Sequence, residues 1–175
     1  MIPTLAVTKF LSIFTIIGQT FIAIFILSLI TKKFFKKEIK LTWIKKRALL
    51  FAFLLALAAM LGSLFFSEIA KYDPCTLCWI QRALMYPLVF VLGITLLKKS
   101  KNIFYYTAPL SILGALVATY HYSIQQSAFV ASCSTEGASC AAIYMFEFGY
   151  ITMPMMSLTV FALITILAWM SRNRN

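Results

Sequence analysis

ALLFAFLLALAAMLGSLFFSEI, residues 48–69, decides the fold. The stretch carries no charge before Glu68 and falls within the roughly 17–25 apolar residues that a helix needs to cross a hydrocarbon core. In lipid a segment must satisfy its own backbone hydrogen bonds, so a run of this kind is helical. Working outward, similar runs occupy Leu5–Ile30 upstream and Ile80–Leu97, Phe104–Gln125 and Ile151–Met170 downstream. The 175 residues are 62% hydrophobic with a mean hydropathy of +0.90, whereas a soluble domain is about 45–50% apolar. The period-two alternation of a membrane barrel is absent. The expected fold is therefore all-α, a polytopic membrane helical bundle with five spans.

Charge gives the bundle an orientation. Lys32, Lys33, Lys36, Lys37, Lys40, Lys45, Lys46 and Arg47 lie between the first two spans, opposed only by Glu38. Lys98, Lys99 and Lys101 follow the third span, and Arg172 and Arg174 close the chain. In a five-span arrangement all of these share one side, and basic loops stay cytoplasmic. The N-terminus and the loops around residues 70–79 and 126–150 then face outward. The strongly basic balance thus reports topology and adhesion to anionic lipid rather than nucleic-acid binding. Leu5–Ile30 is too long for a signal peptide and its basic residues follow it, so it reads as an uncleaved anchor. No internal repeat or low-complexity linker divides the chain.

All four cysteines, Cys75, Cys78, Cys133 and Cys140, fall on the outward side, where thiols tend to be oxidised. Two structural disulfides are the plainest reading. A Cys-x-x-Cys bridge, however, closes too small a loop to remove much entropy from the unfolded chain, and such bridges are commonly the exchangeable ones. Asp73-Pro74 reads as a helix start, with Asp73 as cap and Pro74 at the first helical position. Cys75 would then sit in the first turn, where free N–H groups and the helix dipole favour a thiolate. Arg82 lies at i+4 from Cys78, one turn deeper on the same face. A charge at that depth marks function by default; a snorkelling arginine explains the position but not the alignment. Electrons leaving a dithiol need an acceptor, and no dinucleotide, haem or flavin motif is present. A lipid-soluble quinone is what the location offers, with Arg82 stabilising charge on its oxygen. His121, the single histidine, is either a satisfied interfacial residue or a proton donor and orienting group for that quinone. Met153, Met155 and Met156 read as adaptable packing.

Pro74-Cys75-Thr76-Leu77-Cys78-Trp79-Ile80-Gln81-Arg82 resembles the signature of the DsbB family of quinone-dependent disulfide bond formation proteins. Tyr120-His121-Tyr122, the Cys133–Cys140 loop and the Phe148–Pro154 segment resemble its short-loop, BdbC-like branch. The likeness covers roughly residues 48–171. It implies a four-helix redox domain over 48–175, preceded by an extra transmembrane helix and basic cytoplasmic loop over 1–47. It further implies a relay on the outer face of a bacterial cell membrane. A thioredoxin-like (DsbA-like) thiol oxidase is reoxidised at Cys133–Cys140, Cys133 forming the mixed disulfide and Cys140 resolving it. Electrons then pass to Cys75–Cys78 and from Cys78 to ubiquinone or menaquinone, which Cys78, Arg82 and His121 would hold. The Gln126–Tyr150 loop is expected to move between partner and first pair, with Tyr144, Met145, Phe146 and Phe148 dipping into lipid.

Other classes fit less well. Four thiolates can bind zinc or copper, but the second pair is widely spaced, no His or Asp joins it in sequence, and no polar path crosses the spans. A scaffold stapled by two disulfides leaves Arg82 unexplained. A vitamin K epoxide reductase-like enzyme shares Cys-x-x-Cys but not the Trp79-Ile80-Gln81-Arg82 context.

Overall fold

The computed structural model describes residues 2–35, 42–98, 103–126 and 139–172. Five helices account for nearly all of them: α1 (Ile2–Phe35), α2 (Thr42–Leu64), α3 (Thr76–Lys98), α4 (Ile103–Gln126) and α5 (Met153–Arg172). Each of α2–α5 packs on its two ring neighbours, α2 against α3 and α5, α4 against α3 and α5, which closes a four-helix bundle. α1 stands outside this ring against α5. The outer surface is apolar, with Phe10, Leu54, Phe90 and Leu116 among the large exposed side chains. In water that surface would aggregate; in lipid it is solvated.

Four helices (α1, α2, α3 and α5) are long and apolar enough to cross a membrane. The fifth expected span, Phe104–Gln125, forms α4 over 24 residues but is not among them. Polar residues lower its hydropathy; Thr107, Ser111 and His121 among them turn inward and are buried, while Tyr105, Tyr106 and Tyr120 are exposed. Packing along α3 and α5 supports α4 where apolarity does not.

Without a hydrophobic drive between helices in lipid, small residues and close fit hold the bundle. Ala48, Ala52 and Ala56 give α2 a flat face against Met85, Leu88 and Leu92 of α3 and Phe161, Ile164 and Leu167 of α5. Gly114 of α4 lies under the Phe161 ring, and a Cβ there would fall inside the ring's van der Waals surface. Thr165 bridges the same helices by donating to Ser111 Oγ at 2.8 Å.

Several boundaries differ from the sequence reading. α3 starts at Thr76, four residues before the expected Ile80, and the Asp73-Pro74 helix start does not occur: residues 71–75 are irregular. Upstream, α2 runs into a π-helical turn, Phe65–Ile69, and Lys71 at φ 57° leads the chain out of it. The chain then runs irregularly through Pro74 and leaves the first carbonyl of α3 to Cys75. The Ala141–Phe148 stretch forms turns closed by a bridge between Glu147 and Ile151, with Phe148 and Gly149 at positive φ. Met145, expected in lipid, is tucked inward at 8% exposure, because Tyr144 stacks on Tyr72 at 5.1 Å and pins the segment to the bundle. Phe146 and Phe148 are exposed.

Candidate functional site

Cys75 caps α3: its carbonyl accepts the Trp79 N–H at 3.1 Å, the first bond of the helix. This corrects the placement of Cys75 inside the first turn; Cys78 occupies that turn instead. The two sulfurs are thiols 3.2 Å apart, Cys75 donating to Cys78. Holding its proton for Cys78 and being buried push the Cys75 thiol up to about 11, against an opposing pull from His121. Cys75 therefore stays a thiol at neutral pH while Cys78 Sγ accepts its hydrogen bond.

Arg82 is turned inward and buried. Its Nε donates to Ser63 Oγ at 2.8 Å and its Nη2 to the Ser63 carbonyl at 3.0 Å, while the guanidinium lies 5.2 Å from the Trp79 ring centroid. The fork thus grips α2 one residue before its end, at the turn that passes into the π-helix. A snorkelling side chain would do neither.

His121 comes to the thiol pair from α4 and is 3% exposed. Ser157 of α5 donates to Gln81 Oε1, which leaves the Gln81 amide nitrogen to meet His121 Nδ1 at 3.0 Å as donor. His121 Nε2 then carries the proton. It points at the Cys140 carbonyl at 3.1 Å and lies 3.7 Å from Cys75 Sγ. Three helices and the 139–152 segment thereby meet at one imidazole.

The Cys75, Cys78 and His121 donor atoms lie within 4.8 Å of one another, close enough to share a soft metal ion. The absence of a His or Asp beside Cys133–Cys140 in sequence concerns a pair outside the described residues; what α4 adds is a histidine beside the first pair, which sequence distance hid. With Nε2 protonated and aimed at the Cys140 carbonyl, that nitrogen has no lone pair to offer a metal.

Cys78, Gln81, Arg82 and His121 open onto a cavity of about 430 Å³ between α1, α2, α3 and α5, predominantly apolar in its lining. A much smaller cleft on the loop side is lined by Cys75, Cys78 and His121 together with Ser139 and Ala142. Cys78 faces both spaces and Cys75 only the second. Cys140 is buried beside them, packed with Cys75 and Ile124. Cys133, and with it the expected Cys133–Cys140 pair, lies outside the described residues.

Gln81, Ser63 and Ser157 were not assigned roles on sequence. Their signal was polarity within apolar spans, which is costly unless answered by a partner; which partner each would meet depended on the packing.

A helical bundle with four helices long and apolar enough to cross a membrane, carrying a dithiol at one end beside an inward arginine and an apolar cavity, defines a membrane thiol–disulfide protein. Residues 45–171 match the family described as Disulfide bond formation protein DsbB, and the chain belongs to that family. Among curated relatives, the "Probable disulfide formation protein C" of Halalkalibacterium halodurans is 45% identical over 117 residues, 66% of this chain and 85% of that protein. One of the same description from Bacillus cereus is 44% identical over 68% of this chain and 87% of its own length. The "Disulfide bond formation protein C" of Bacillus subtilis is 43% identical over 66% of this chain and 85% of its own. No solved structure matches the chain.

Proposed function

We propose that this protein is a membrane thiol:quinone oxidoreductase that reoxidises an extracytoplasmic thioredoxin-like disulfide oxidase and so supports protein disulfide formation. Residues 48–175 form the redox unit, and the basic loops hold it with its cysteines outside the bacterial cell membrane. The observation that carries the reading is that Cys78 and Arg82 line one apolar cavity between the candidate membrane spans, while Cys75 faces the loop carrying Cys140.

The cavity's volume, its apolar walls and its few convergent polar groups suit the head of ubiquinone or menaquinone. A quinone bound there supplies the sink, taking up the two electrons and two protons that a dithiol releases on closing to a disulfide. Cys78 presents its sulfur to the cavity, and Cys75 closes the S–S bond from the N-cap of α3. Arg82 fixes a non-titrating positive charge at the wall. His121, its tautomer set by Gln81, directs its Nε2–H towards Cys75 and the Cys140 backbone, favouring a Cys75 thiolate when exchange requires one. The partner's first thiolate attacks Cys133 of the Cys133–Cys140 disulfide and expels Cys140 as a thiolate. The partner's second thiol then displaces Cys133 and leaves the partner oxidised, and Cys140 passes the electrons to the Cys75–Cys78 disulfide by a further exchange.

The test is reconstitution. The purified protein, given a reduced thioredoxin-like oxidase and either quinone, is expected to consume one quinone per partner disulfide formed. Oxidation of the partner with no quinone consumed, or no oxidation at all, would sink the proposal.

A further inference from the structure

The helix that the family match leaves out forms part of the cavity wall. The match begins at residue 45, yet Phe10, Leu11, Phe14 and Thr15 of α1 line the cavity that holds Cys78 and Arg82. α1 is held in a defined rotation. Thr8, Ser12, Thr15 and Gly18 make its buried stripe, each of the three hydroxyls bonded back to its own helix so that no polar group is left open. Gly18 sits against Thr159 and Leu163 of α5, where a Cβ would come within 3.2 Å of Thr159 Cγ2. Gln19 donates to Thr159 Oγ1 at 3.3 Å and accepts from Tyr150 at 2.7 Å. These contacts fix α1 to α5 and to the loop next to the thiols. Towards α2, by contrast, α1 scarcely packs among the described residues. Leu11 reaches across, its Cδ1 3.6 Å from where a Gly62 Cβ would stand.

The mouth of the cavity lies in that gap. Phe10 and Phe14 line the cavity and are also 59% and 56% exposed on the outer surface, their rings 4.6 Å apart. Ala58 of α2 is likewise both lining and exposed. Residues that belong at once to a cavity and to the lipid-facing surface mark an opening into lipid.

We propose that α1 is the closing wall of the quinone site, that Leu11 and Thr15 set its width, and that the slot between α1 and α2 is the lateral opening through which the quinone's isoprenoid tail runs into the bilayer. This rests on the quinone reading given above. The geometry fits that ligand class: a polar head needs Arg82 and Cys78, which line the cavity, and an apolar chain tens of atoms long needs an exit that stays in lipid.

The experiment uses the full-length protein in lipid nanodiscs with an azido-ubiquinone photoprobe, competed by unlabelled ubiquinone or menaquinone. Competed labelling of residues 10–15 and 55–63 is expected. Competed labelling confined to α3–α5 would overturn the role of α1 while leaving the quinone site standing. No competed labelling anywhere would remove the quinone reading and this inference with it. Alongside, Leu11→Trp is expected to raise the quinone concentration for half-maximal turnover about tenfold, in the range of a filled apolar pocket. Ile13→Trp, on the exposed face of the same turn, is expected to stay within about twofold. Single-turnover exchange with the partner, which needs no quinone, is expected to be unchanged in both. Equal effects of the two substitutions on quinone use would also overturn the proposal.

Discussion

Arg82 reaches its position by two directed bonds to one residue, Ser63 Oγ and the Ser63 carbonyl. A lysine keeps the charge but cannot present the fork. Arg82→Lys is therefore expected to weaken apparent quinone affinity about tenfold, equivalent to about 1.4 kcal/mol, one charge-assisted contact. Arg82→Gln is expected to cost more, with protease resistance as the folding control. Unchanged affinity in Arg82→Gln would detach this residue from the acceptor site. Cys75 makes a prediction of its own. Its thiol titrates at about 11 in the fold against an ordinary value of 9.0. A raised acid favours the protonated fold, so its contribution is complete below pH 9 and is lost as pH rises towards 11. The reduced protein should lose thermal stability across that window relative to the same protein with Cys75–Cys78 oxidised. Parallel pH profiles for the two redox forms would contradict it.

Between elements, the contact that admits least change is α4 on α5 at Gly114. Overpacking a close-fitted site costs roughly 1–3 kcal/mol, and here the obstacle is the fully buried ring of Phe161. Gly114→Ala is expected to lower the thermal transition in detergent, and Phe161→Leu, harmful alone, to recover part of that loss in the double variant. Strict additivity of the two would mean the helices do not meet as described. The consequence extends to chemistry, because α4 carries His121 to the thiols and α5 carries Ser157 to Gln81. A shift between these helices loosens the tautomer lock before it unfolds anything.

For the molecule as a whole, the charge asymmetry predicts sidedness. In a variant lacking the native cysteines, Lys99→Cys should be protected from a membrane-impermeant thiol reagent in intact cells and react after permeabilisation. Ser139→Cys in the same background should react from outside, since that residue is exposed beside the thiol cleft. External labelling of Lys99→Cys would invert the orientation and place the cysteines in the cytoplasm. The four-helix ring also leaves its dithiol at one end and its cavity between the helices, with Cys78 lining both that cavity and the cleft on the loop side; in the proposed function these are the two sides from which acceptor and partner reach it.

Much of this was legible in the chain. Uninterrupted apolar runs such as 48–69 admit only helices in lipid, and the spacing Cys75, Cys78, Arg82 is local enough for helix periodicity to align it without tertiary help. The same local reasoning erred at Asp73-Pro74, because a π-helical turn and Lys71 upstream decided where α3 could start. What the sequence left open is long-range. His121 is 46 positions from Cys75, and nothing in its own neighbourhood distinguishes an interfacial histidine from one bonded to Gln81 and Cys140. Whether Arg82 snorkels or turns inward depends on Ser63 being across the interface to receive it. The first helix read only as an anchor and an extra span, because its stripe of Thr8, Ser12, Thr15 and Gly18 has no visible purpose until α5 is packed against it. Local hydropathy and helical period determine elements and near neighbours; which polar side chains meet in a low-dielectric interior is settled only when the helices close around them.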